Sequence, residues 1–99
     1  MSFVLDSEHS LQQLRLQNQC EANAILYLEP WGDQLTMPPG STFQIDAYGP
    51  RGDCLEVIFH NDHVTIYGWS GSVISVFRNN AKVWDTKIPA PKTPRPISS

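Results

Sequence analysis

The sequence predicts a single all-β domain, an antiparallel β-sandwich or open barrel of about seven to eight short strands. Three observations predict it. From about residue 11 to 86 short runs alternate apolar and polar residues, Gly, Pro, Asn and Asp clusters separate those runs, and no segment carries the 3.6-residue period of a long helix. Ninety-nine residues, 40% of them apolar and including three Trp, four Phe and three Tyr, supply one core and not two.

Residues 1–10 read as an N-terminal extension, 11–87 as the sandwich and 88–99 as a tail. Leu14 and Leu16 alternate with Gln13, Arg15 and Gln17, which predicts a strand over 11–18. A helix capped at Asp6 or Ser7 competes there, but Leu16 breaks its stripe, and the sheet needs the segment to cover an edge. The run AILYL at 24–28 is apolar on both sides and reads as a central strand. In Met37-Pro38-Pro39-Gly40, Pro39 presets φ and Gly40 admits the positive φ of a type II turn. Phe43, Ile45 and Ala47 then form the inward side of a strand whose other side is Gln44, Asp46 and Tyr48, and Gly49-Pro50-Arg51-Gly52 turns the chain again.

Two hairpins follow. In CLEVIFHNDHVTIYG a two-residue turn at Asn61-Asp62 sets His60 against His63, Phe59 against Val64 and Val57 against Ile66, with Leu55 continuing that apolar face inward. His60, His63, Ile58, Thr65, Glu56 and Tyr67 then share the opposite face. In VISVFRNNAKVWD a turn at Asn79-Asn80 sets Val76 against Val83 and Ser75 against Trp84, with both faces partly apolar. IPAPKTPRPISS holds four of the eight prolines and no core material, so an extended, flexible tail is expected.

The formal charge of −3 argues against a phosphate backbone as partner, so neither nucleic acid nor a membrane is expected. The first ten residues have no basic segment and no apolar run of signal length, which points to the cytoplasm. Cys20 and Cys54 match neither a redox pair nor a zinc module and read as two free, buried or half-buried thiols. Arg51-Gly52-Asp53 is a chance tripeptide in a turn. Cys54 has no cation or helix N-terminus to activate it, and no nucleophile elbow or phosphate loop exists, so neither an enzyme nor a cofactor is expected.

LYLEPWGDQLTMPPGSTFQI, then GP, LEVIFHNDHVTIYGWSGS and SVFRNN, resembles a family of small uncharacterised bacterial all-β proteins with an LEPWG, PPG, YGWPGS pattern. The likeness spans most of residues 16 to 85. Asn18 before a hydrophobic strand, with the later Met37-Pro38-Pro39-Gly40, is also similar to the von Hippel-Lindau β-sandwich. Both resemblances imply a compact all-β unit and neither supplies a catalytic residue.

Three groups of side chains carry functional expectations. His60 and His63 flank a tight turn on one face, close enough to chelate a metal, with Glu56 farther along to add oxygen. Their plain reading is a pair of solvent-facing rings. Trp69 and Trp31, each beside Gly, together with Tyr67 and Tyr48, suit a stacking platform for carbohydrate or an anchor for a protein. Their plain reading is that each indole seals an end of the sandwich. Ile25 and Tyr27 on one side of their strand, with Ile58 outside the first hairpin, exceed what one small core hides. The favoured function is therefore a non-enzymatic protein-interaction module that self-associates, ahead of a carbohydrate or small-ligand module and of a metal-dependent enzyme.

Overall fold

The computed structural model describes residues 8–86 and 88–91. Eight strands run in order: β1 (His9–Gln17), β2 (Ala24–Glu29), β3 (Asp33–Met37), β4 (Thr42–Pro50), β5 (Glu56–Phe59), β6 (His63–Tyr67), β7 (Val73–Arg78) and β8 (Ala81–Asp85). They form two four-stranded sheets, β1-β4-β7-β8 and β3-β2-β6-β5, which face each other without closing into a barrel. Among the described residues no helix is long and apolar enough to cross a membrane.

The alternation read from the sequence is the alternation of burial. Leu16 faces Phe43 across β1 and β4, while Ile45 and Ala47 of β4 lie opposite Val76 and Ile74 of β7. Leu26, Leu28 and Ile66 answer them from the other sheet, and all nine are buried. A period of two puts every second residue on one face, and burying a Leu or Ile side chain contributes about 1.5–3 kcal/mol, so these positions drive the two sheets together.

Not every pairing is antiparallel. β2 and β6 run parallel, Ile25 beside His63 through Glu29 beside Tyr67. Local turn signals had predicted only hairpins, whereas this pair joins segments far apart in sequence that enter the sheet from the same end. Ile25 N–H donates to Asp62 O where they enter (3.3 Å), and Gly68 N–H donates to Glu29 O where they leave (2.9 Å).

The first hairpin has the expected register, Phe59 beside Val64 and Val57 beside Ile66. His60 N–H donates to His63 O at 2.9 Å. Phe59, expected inside, is 69% exposed. It ends an edge strand beside the half-buried Val64, where the facing sheet no longer covers it. The second hairpin turns at Asn79 and Asn80, both with positive φ (53° and 64°), but its register differs from expectation. Val76 pairs with Trp84 and Ser75 with Asp85, because a bulge between Val76 and Phe77 gives β8 one extra residue. Val83 is therefore 45% exposed.

The tail's start is not detached. Ala90 is buried, its N–H donates to Ser72 O, and its carbonyl accepts from Gly71 N–H, both at 3.0 Å. This strap closes one end of the sandwich; residues 92–99 lie outside the described residues. Cys20 and Cys54 are free as expected, but both are exposed because each sits in a loop rather than on an inward strand position.

At the other end a single amide organises two connections. Asn18, 5% exposed, donates through Nδ2 to Met37 O (2.8 Å) and Ala22 O (3.0 Å), and its Oδ1 accepts from Cys20 N–H (3.0 Å). Its backbone carbonyl accepts from Gly40 N–H, which turns at φ 78° as the Pro-Pro-Gly sequence requires. Ser72 is the contrary case, since its buried Oγ has no hydrogen-bond partner. Asn18→Ala should lower the unfolding free energy by about 2–3 kcal/mol in urea, because it strands the buried Met37 carbonyl and two part-buried backbone groups. Ser72→Ala should be neutral or stabilising by up to about 1 kcal/mol, since it removes an uncompensated hydroxyl.

Candidate functional site

Each outward side chain of β3, β2, β6 and β5 follows from the register. One row across the sheet is Thr36, Ile25, His63 and, just past β5, His60; the next is Gln34, Tyr27, Thr65 and Ile58; the third is Glu29, Tyr67 and Glu56. Ile25, Tyr27, Ile58 and Tyr67 are all half-buried. Thr65 points away from the core, yet only 9% of it is exposed, since Tyr27 and Ile58 flank it on the neighbouring strands. Large side chains have closed over the middle of this sheet. The parallel β2–β6 pair made this face, because it sets Ile25 and Tyr27 beside the histidine hairpin.

At one end of the face His60 and His63 stack, with ring centroids 4.1 Å apart and planes inclined by 16°. The Tyr27 ring meets His63 edge-on at 5.2 Å. His63 Nδ1 lies 2.7 Å from Asp62 Oδ1. That hydrogen bond, and then the charge of His63, hold the Asp62 carboxyl below its ordinary 3.8, with a smaller contribution from His60.

This arrangement does not bring His60, His63 and Glu56 together as metal ligands. Imidazole lone pairs lie in the ring planes, so stacked rings aim them side by side rather than at one point. Glu56 pairs with Tyr67, four residues from His60, which is about 13 Å along an extended strand. Among the described residues no three His, Cys, Asp or Glu side chains form a group able to hold a metal.

The expected aromatic platform is likewise dispersed. Trp69 is 3% exposed and its Nε1 donates to Pro50 O at 2.8 Å, so the indole fills the end of the core. Tyr48 lies on the outer face of the other sheet, stacked on His9 at 5.3 Å, whereas Tyr67 belongs to the face described above. Trp31 sits at a third place, against Gly68: a Cβ there would come within 2.5 Å of Trp31 Cη2, so only glycine fits. Its Nε1 donates to Ile88 O (2.9 Å), and its ring meets Trp84 edge-on at 5.8 Å.

Trp84, Asp33, Val83 and Ile88, which surround that indole, were absent from the sequence-based candidates. The sequence signal was incomplete: Val83 next to Trp84 says that only one of the two can face inward in a regular strand, but not which.

No protein-family model matches the chain, and no curated protein or solved structure is significantly similar to it.

The depressed Asp62 carboxyl has a checkable signature. Its side-chain carbon, followed by NMR, should titrate with a midpoint below 3.8, and His63→Ala should move that midpoint up toward it. Because the folded value lies below the unfolded one, the stabilisation is present above the unfolded value and is lost as pH falls through the folded value. His63→Ala should therefore make stability less sensitive to acid below about pH 4; an unchanged Asp62 midpoint would contradict the contact.

Proposed function

We propose that the chain is a non-enzymatic interaction module that associates with a second copy of itself through the outer face of the β3-β2-β6-β5 sheet. The observation that carries this reading is the half-buried cluster of Ile25, Tyr27, Ile58 and Tyr67, continuous across three neighbouring strands.

Charge supports a second copy as the occupant. The face has imidazoles at one end, His60 and the Asp62-bonded His63, and carboxylates at the other, Glu29 and Glu56. Rotating one copy by half a turn about an axis through Tyr27 and Thr65 lays the imidazole end over the carboxylate end, and the same contact is then made twice. Four strands and five residues per strand give a planar footprint of roughly 19 by 16 Å, small beside the ~800 Å² per partner of a standard interface, so the association is weak.

A cytoplasmic setting belongs to the same proposal, supported by the free, exposed Cys20 and Cys54. So does membership of the LEPWG, PPG, YGWPGS family. What supports that membership is the use of the motif residues: Trp31, Gly40 and Trp69 each hold a turn against the core or a neighbouring strand.

Sedimentation equilibrium from micromolar to millimolar concentration should show the average mass rising from one chain toward twice 11.1 kDa. Tyr27→Lys, which leaves the core untouched, should weaken the association at least about tenfold, a loss of roughly 1.4 kcal/mol. A monomer throughout that range would overturn the proposal.

A further inference from the structure

The two sheets leave an open side between their edge strands β3 and β8, and a cleft of about 670 Å³ lies there. Trp31 and Trp84 form its floor as an L, inclined by 66°. The bulge in β8 brings Val83 to its rim, and Ile88, 67% exposed, stands beside Trp31. Asp33, Lys82, Asp85 and Thr86 complete the lining.

We infer that this cleft is a binding site for an extended, proline-rich peptide segment carrying a basic residue. The polar atoms around it are largely engaged within the protein. Trp31 Nε1 donates to Ile88 O and Trp84 Nε1 to Asp33 Oδ2 (2.9 Å each), Lys82 Nζ to Asp85 Oδ2 (3.1 Å), and Thr86 Oγ1 accepts from Ile74 N–H (3.1 Å). Both indoles are thus pinned in place and offer ring surface rather than a donor. A sugar, which presents a hydroxyl on nearly every carbon, finds no free indole donor in such a cleft, only the remaining oxygens of Asp33 and Asp85 and the Lys82 ammonium.

A proline ring needs none. It is apolar and flat, lacks an N–H, and in polyproline II conformation it is already extended, so little entropy is lost on docking into a rigid aromatic corner. Two carboxylates, Asp33 and Asp85, against one ammonium, Lys82, leave the rim with an excess negative charge, which favours a Lys or Arg beside the prolines. Both aromatic walls belong to edge strands or the turn before one, so an extended segment can lie along the opening without displacing a strand.

The full chain, labelled with 15N, is titrated with the peptide PAPKTPRP, whose sequence occurs in this protein's own residues 89–96, and with the same peptide with alanine at every proline. The indole N–H signals of Trp31 and Trp84 should shift in a saturable way while that of the buried Trp69 stays still, and the alanine peptide should bind at least about tenfold more weakly. Val83→Lys with Ile88→Lys alters only exposed positions and should weaken binding by a similar factor at an unchanged melting temperature. Absence of saturation at millimolar peptide overturns the inference, as does equal binding of the alanine peptide or undiminished binding by the double variant. A neutral oligosaccharide that shifts the same two signals in a saturable way overturns it too. Sedimentation of the double variant should match that of the wild type, because the self-association face lies elsewhere.

Discussion

Two sheets that stack without closing leave two seams, and the fold depends on how those seams are sealed. Between β3 and β8 the seal is aromatic: Trp84 reaches across to the Asp33 carboxylate while Trp31 packs against its ring. Between β1 and the segment leading into β5 the amide of Gln12 bridges, since Gln12 Nε2 donates to Asp53 O (3.2 Å) and Gln12 Oε1 accepts from Leu55 N–H (2.9 Å). That side chain imitates a strand, making one donor and one acceptor contact where a closing strand would make a ladder. Hydrophobic burial presses the sheets together but has no direction, so contacts of this kind orient one sheet on the other.

The polar interactions differ in weight according to where they lie. Asn18 is buried, and its amide answers three backbone groups that would otherwise be stranded; hydrogen bonds of that kind matter because leaving them unmade is expensive. The Lys82–Asp85 pair is close to half exposed on both sides and contributes little. The contact between His63 and the exposed Asp62 also belongs with the second class, and its significance is local, in orienting the stacked rings at the end of the sheet.

Much of the architecture was legible from alternation and turn chemistry. Pro38, Pro39 and Gly40 announce their turn, and the register of the His60–His63 hairpin follows from loop length alone. Three features were not legible, each because it depends on partners distant in sequence. The parallel pairing of β2 with β6 leaves no local signal, and it alone brings Tyr27 to His63. The bulge in β8 is settled by which of Val83 and Trp84 finds room inside, which the other sheet decides. Trp69 was weighed as a binding ring because glycines surround it, but Gly49 and Gly68 serve close packing: Gly49 lies against Trp69 and Gly68 against Trp31. The candidate face was half visible, its hairpin residues assigned and its β2 residues noted only as excess hydrophobicity.

Every open sheet must also avoid endless edge-to-edge growth, and the bulge in β8 bears on this. A regular strand at that edge would present a flat row of free amides and carbonyls to any neighbouring chain, and such pairing has no natural stopping point. The extra residue twists the edge and spoils its spacing, while β5, one edge of the other sheet, is only four residues long. Contact through a sheet face about a twofold axis instead uses up its own surface at two copies. The irregularity that exposes Val83 thus makes edge-to-edge growth at β8 unfavourable.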